Sequence, residues 1–352
     1  MAAIKEEGGT KRALCLEQVT TYLRVGKSLR PVIIGIDLRL EPGEIVGLVG
    51  ESGSGKSMTA RTIAGVLPDG AVSMGMLHLG GENLLEMSRR RRRGVQAKEI
   101  GMIWQDPRAY IDPLWRIEVH MTEAMRVHLG LSKSEARTRA IDLLASVGID
   151  RPERRMRQFP HELSGGMLQR VMIAGALSVE PSVLLADEVT TALDVTTQAE
   201  VVKLLDRIRA ERGLAVLFIT HDLALASLIC DRVCVMYAGR IVEARQGRRI
   251  FEHPLHPYTM GLLAARPQID RKVDRLSVIR GVPASAMDAP PGCAFHPRCR
   301  FAVHGCGDSV PVPVPVQGGS VSCIRVHEFQ QTTPPKPSAA SVTTSEGNAA
   351  SG

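Results

Sequence analysis

Aromatic side chains are scarce in this chain. They make up 3% of its 352 residues, so a stacking platform for single-stranded nucleic acid is poorly supplied. No apolar run approaches the roughly 18 residues a membrane helix requires. Met1 to Arg12 is polar and lacks the apolar core of a secretory signal. These absences predict a chain that stays in the cytoplasm, where it could still bind a membrane protein. There is no internal repeat and no heptad run, which excludes solenoids and long coiled coils.

What is present fits an ordinary globular interior, with 44% hydrophobic residues. At about 150 residues per domain, the length suggests one large domain or two smaller ones. The net charge of +7 is compatible with nucleic acid, an anionic membrane surface or anionic small ligands. The densest charge, Arg89 to Arg93, reads as a solvated loop or helix face, with lipid head groups as the second reading.

Residues 12–262 alternate strand-like and helix-like runs, which predicts an α/β domain. Val32 to Leu40 alternates as a half-buried strand. Ile45 to Val49 is a short apolar strand leading into a glycine-rich loop. Ser132 with Glu135 forms a capping box that opens a helix through about Val147. Val201, Leu204, Leu205 and Ile208 mark one helix face, Gly213 its stop, and Ala215 to Ile219 a buried strand. After about Leu263 proline becomes frequent, and Val310 to Val316 alternates Pro and Val as an extended segment does. From about Gln331 the Thr, Pro, Ser, Ala and Gly text cannot build a core and is expected to be disordered.

The chemistry starts at Gly50-Glu51-Ser52-Gly53-Ser54-Gly55-Lys56-Ser57, which fits G-x-x-x-x-G-K-[ST] between a strand and a helix. The glycines let backbone N–H groups turn towards phosphate oxygens, and the helix N-terminus adds its dipole. Lys56 would reach the β- and γ-phosphates and Ser57 would ligate Mg²⁺. Val183 to Ala186 is an apolar strand ending in Asp187 and Glu188. The first acid can hold Mg²⁺ and the second can act as general base on an attacking water. These two motifs define a P-loop NTPase.

Leu163-Ser164-Gly165-Gly166-Met167-Leu168-Gln169-Arg170 narrows the class, because it resembles the signature motif of ABC ATPases. That resemblance implies a parallel RecA-like core sheet, an antiparallel β subdomain, a helical subdomain at about 106–180, and ATP held between two subunits. It also implies nucleotide contacts at Gly50, Ser52, Gly53, Gly55, Lys56, Ser57, Thr59 and Asp187. Ser164, Gly165 and Gly166 would face the partner's phosphate, and Thr191-Ala192-Leu193-Asp194 resembles the loop that crosses the dimer interface. Gln105 resembles the glutamine that senses Mg²⁺ and water beside the membrane subunits, and His221 the histidine that contacts the γ-phosphate. Tyr22 is an adenine-stacking candidate or a partly buried strand tyrosine.

Glu188 to Thr196, Val171 to Ala174, Tyr237 to Glu243 and His256-Pro257-Tyr258-Thr259 resemble the oligopeptide, dipeptide and nickel importer branch, over roughly residues 12–327. Val189 replaces the usual proline, Leu168 a basic or polar residue, and Trp104 a common phenylalanine; none removes a catalytic group.

Cys15, Cys230 and Cys234 lie in apolar text and read as buried thiols. Cys293, Cys299, Cys306 and Cys323 are spaced C-x5-C-x6-C-x16-C. In some members of this branch a similar C-terminal extension, here 263–330, binds a [4Fe–4S] cluster. Four thiolates suit that cluster. They also suit structural zinc, and a metal-free set is the third reading. His296 and His304 are not expected to be ligands.

The resulting expectation is an ATP-hydrolysing, energy-coupling subunit at the cytoplasmic face of the plasma membrane. Its partners would be a second ATPase, two permease subunits and, indirectly, an extracytoplasmic solute-binding protein. Intact half-sites permit a homodimer, while the family's habit favours a heterodimer. The alternative class is a non-transport ABC ATPase acting on nucleic acid or ribosomes. Long coiled-coil members of that class insert hundreds of residues where only 107 separate Ser57 from Ser164 here.

Overall fold

The computed structural model describes residues 13–190, 194–265 and 279–331. Its strands are β1 (Leu14–Val25), β2 (Ser28–Leu40), β3 (Ile45–Val49), β4 (Val72–Leu79), β5 (Glu82–Asn83), β6 (Ile100–Ile103), β7 (Val183–Asp187), β8 (Ala215–Thr220), β9 (Arg232–Tyr237), β10 (Arg240–Gln246), β11 (Val314–Val316) and β12 (Gly319–Val321). Its helices are α1 (Lys56–Ala64), α2 (Arg89–Glu99), α3 (Pro107–Tyr110), α4 (Ile117–His128), α5 (Lys133–Ser146), α6 (Pro152–Arg155), α7 (Gly165–Ala176), α8 (Val195–Arg212), α9 (Leu223–Ile229), α10 (Gly247–Glu252), α11 (Pro257–Ala264) and α12 (Val326–Gln331).

Two sheets organise these elements. The larger runs β11-β12-β10-β9-β3-β8-β7-β6. Its five strands from β9 to β6 are parallel, and they are near-continuous apolar runs because both faces are covered. Antiparallel β10, β12 and β11 complete one edge. The smaller sheet, β2-β1-β4-β5, is antiparallel. The α/β class with a parallel core and an antiparallel subdomain is therefore as expected.

Local signals account for much of this. Ser132 and Glu135 cap α5 reciprocally, and Val201, Leu204, Leu205 and Ile208 bury one face of α8 at 1–5% exposure. Gly213 ends α8 in the left-handed region at φ 62°, where a Cβ would be penalised. The arginine run begins α2 and is largely exposed, with Arg91 paired to Glu82. Cys15, Cys230 and Cys234 are buried as expected. Pairing of Glu243 with Val321 stitches the C-terminal extension into the core sheet. Of the tail expected to be disordered, all but Gln331, which ends α12, lies outside the described residues.

Candidate functional site

The loop between β3 and α1 gathers the candidate phosphate donors. Gly53 and Gly55 take φ of 79° and 111°, angles that turn consecutive amides the same way and exclude most side chains. Gly55 is also the N-cap of α1 and supplies no side-chain acceptor, so the first amides of α1 stay available to an anion. A Cβ on Gly50 would lie 2.2 Å from the Met236 carbonyl oxygen; the loop packs directly on β9. Lys56 is buried at 5% exposure, and its Nζ donates to the carbonyls of Gly50 (2.8 Å) and Glu51 (3.0 Å). Burial lowers its pKa, opposed by the carboxylates of Glu188, Asp187 and Glu51. Ser52 is exposed on the loop, and Thr59 is buried, donating to the Gly55 carbonyl at 3.0 Å.

The two acids stand at the end of β7, facing this loop. Ser57 Oγ donates to Asp187 Oδ1 at 2.9 Å. Burial raises the Asp187 pKa, and Glu188 raises it further. A buried carboxylate touching a hydroxyl, with a second carboxylate next to it, is a donor set suited to a hard cation. Glu188 holds φ 48°, a sparsely used conformation that costs on the order of 1–3 kcal/mol and clusters at functional sites. Around Glu188 converge Gln105 Nε2 at 2.9 Å, Lys56 Nζ at 3.9 Å and His221 Nδ1 at 4.0 Å. Gln105 arrives from the loop after β6 and His221 from the end of β8, so three parallel strands deliver these groups at their carboxyl ends, where ligands of such sheets bind.

Other candidates stand apart. Ser164 caps α7, accepting from the Met167 amide at 3.3 Å, and it is exposed together with Gly165. Gly166 faces Thr197 of α8. No hydrogen bond joins these three residues to the glycine loop among the described residues. Asp194 caps α8, and its bonds from Thr197 hold its carboxyl below the usual range; 191–193 lie outside the described residues. Tyr22 is half-buried on β1, between Pro31 and Val72 in register. The sequence departures fit the interior: Leu168 and Val189 are 1% and 2% exposed, Gln169 donates to the Val189 carbonyl, and Trp104 stacks on Tyr110 at 4.1 Å.

Cys293, Cys299, Cys306 and Cys323 line one cavity with His256, His296 and Phe301. All four are free thiols. Burial raises the pKa of Cys293 and Cys299 and pushes Cys323 up to about 11. Among the described residues no three His, Cys, Asp or Glu side chains are grouped as a site for a metal ion. The cavity is about 20 Å³, room for a water or two. His256 is fully buried, and its Nδ1 accepts from the Tyr258 amide at 3.1 Å, which places the ring proton on Nε2. Among the described residues that Nε2 has no hydrogen-bond partner, an omission that costs on the order of 1–3 kcal/mol and asks for an acceptor.

A further contact was not legible in the sequence. Arg298, inside the cysteine segment, reaches back to Glu51 of the glycine loop at 2.7 and 3.1 Å. The only local signal was its position beside Cys299.

A model of the ABC transporter family matches residues 33–191. A model of the oligopeptide/dipeptide transporter C-terminal region matches residues 242–306. The chain is 41% identical over 316 residues to the oligopeptide transport ATP-binding protein AppD of Bacillus subtilis (strain 168), covering 89% of this chain and 96% of that protein. It is 43% identical over 277 residues to the dipeptide transport ATP-binding protein DppD of Escherichia coli (strain K12), covering 78% and 85%. The dimeric ATP-binding cassette MJ0796, solved with ADP and Pi, matches with TM-score 0.59 and 26% identity over 67% of this chain and 99% of that one. The chain is therefore an ABC-type, ATP-binding ATPase. It belongs to the ABC transporter family, in the branch that carries the oligopeptide/dipeptide transporter C-terminal region.

Proposed function

We propose that this ATPase is the energy-coupling subunit of an importer for peptides or similar small solutes, seated at the cytoplasmic face of the plasma membrane beside two permease subunits. The observation that carries the catalytic part is the convergence of Gln105, Lys56 and His221 on Glu188 at the mouth of the glycine loop. Glu188 is the general base on the attacking water. His221 contacts the γ-phosphate, and Gln105 orients the water and links the site to the permease side. The loop amides from Gly50 to Ser57, with Lys56 and Thr59, cradle the phosphates, and Tyr22 stacks on adenine. Ser57, Asp187 and Gln105 would hold Mg²⁺, which neutralises phosphate charge. Ser164, Gly165, Gly166 and Asp194 act on the nucleotide of a second ATPase subunit, homologous or identical.

The four cysteines would hold a [4Fe–4S] cluster in a structural or regulatory role. Four thiols on one cavity are a donor set that suits such a cluster, and structural zinc is the second reading. An unpartnered buried Nε2–H on the same cavity suits an anionic sulfur. Inserting a cluster requires the cavity walls to part.

Glu188→Gln tests the central assignment. The variant should bind MgATP with native affinity, while steady-state hydrolysis falls by at least about 10²-fold. Native turnover by this variant would remove Glu188 from the role of base.

A further inference from the structure

Arg298 is held more tightly than a surface arginine needs to be. Its side chain is 5% exposed. Nη1 and Nη2 make a two-pronged ion pair with the Glu51 carboxylate at 2.7 and 3.1 Å. Nε donates to the Arg280 carbonyl at 3.0 Å, and Nη1 also reaches the Tyr237 hydroxyl at 3.4 Å. The guanidinium lies 5.8 Å from the Tyr237 ring centroid and 5.9 Å from that of Phe295. A paired, forked geometry of this kind fixes orientation as well as charge.

Glu51 is an unusual place to end such a fork. It is the second residue of the loop that receives a polyphosphate. Its carbonyl accepts from Lys56 Nζ at 3.0 Å and from the Ser54 amide at 3.2 Å. Its amide donates to the Tyr258 hydroxyl at 2.8 Å. Its carboxylate is near enough to Lys56 to act on that ammonium. Unpaired, that carboxylate would repel an incoming phosphate and compete for Lys56. Paired with Arg298, it becomes an anchor.

We propose that Arg298 is a positioning residue of the nucleotide site, through which the cysteine-bearing extension clamps the glycine loop at Glu51 and neutralises its charge. Arg298 does not touch the nucleotide. It acts through Glu51 on the shape and potential of the loop, and so on affinity more than on the chemical step. The proposal rests on the reading of this loop as the phosphate site.

The test uses the full chain and reads the dissociation constant for MgATP by equilibrium binding, together with KM and kcat for hydrolysis. Arg298→Gln should weaken MgATP binding about tenfold, the scale of a lost hydrogen-bonded charge pair. KM should rise in parallel, with kcat within about twofold. Arg298→Lys, which keeps the charge and loses the fork, should fall between, and it serves if Arg298→Gln does not fold. The double variant Glu51→Gln with Arg298→Gln should bind better than Arg298→Gln alone, because the unpaired carboxylate is gone. Native affinity in Arg298→Gln, a loss confined to kcat, or a double variant worse than the single would each overturn the clamp. Lys56→Ala separates the two levels of argument. If it binds MgATP like the native chain, the phosphate-site reading fails; if it loses binding while Arg298→Gln does not, only the clamp fails.

Discussion

His256 shows how much one side chain can say about a cavity. Its ring nitrogens have opposite roles, one accepting from Tyr258 and the other a buried donor with no partner among the described residues. Around the same cavity stand four thiols, three of them with pKa raised by burial, so a metal group would displace protons on binding. Full-length chain purified without oxygen is expected to be brown and to carry iron and acid-labile sulfide. Colourless protein with one zinc per chain, or with no metal, overturns the cluster. At this scale the cysteine spacing was legible, because four cysteines close together stand out in the sequence. The donor from His256 was not, since it lies 37 residues before Cys293 and its motif served only to mark the branch. The glycine loop was legible for the same reason as the thiols. The neighbour that makes Gly50 obligatory, the Met236 carbonyl, comes from a strand far along the chain.

Among the elements, the C-terminal extension behaves as part of the core. Phe295 is 3% exposed. It packs between Tyr237 at the end of β9 and Tyr258 of α11, with centroids 5.3 and 5.2 Å away. In a chain with few aromatics, three of them meet at the seam between the nucleotide domain and its extension. Edge and tilted ring contacts add to the area buried. Phe295→Ala should therefore cost about 3–5 kcal/mol of unfolding free energy, as deletion of a buried phenylalanine does. A urea midpoint unchanged from the native chain would show that the seam is not structural. The helices and parallel strands were legible from local signals: the capping box of α5, the apolar stripe of α8, the glycine that ends it. The pairing of β12 with β10 was not. β12 has only three residues, and register between residues 78 apart in sequence (Glu243 with Val321) depends on the fold already being assembled.

At the scale of the molecule, two groups of candidate residues stand apart among the described residues. The glycine loop, the β7 acids and His221 lie together at the carboxyl ends of the parallel strands. Ser164 and Gly165 stand exposed at the head of α7, and no hydrogen bond joins them to that group among the described residues. An exposed helix N-terminus with two glycines leaves amides open to a phosphate. Distant, independent groups give separable effects, which sets up a sharp expectation for Ser164→Arg. Losing the cap costs about 1 kcal/mol, too little to unfold a domain of this size. The isolated variant should bind MgATP within about twofold of the native chain, since its own loop is untouched. Steady-state hydrolysis by the assembled ATPase pair should fall more than tenfold, as when a donor to a reacting phosphate is removed. If binding by the single chain collapses instead, the signature serves its own loop and the two-chain site is wrong. If hydrolysis is unaffected, α7 faces no phosphate at all, and the exposed glycines are only a helix cap.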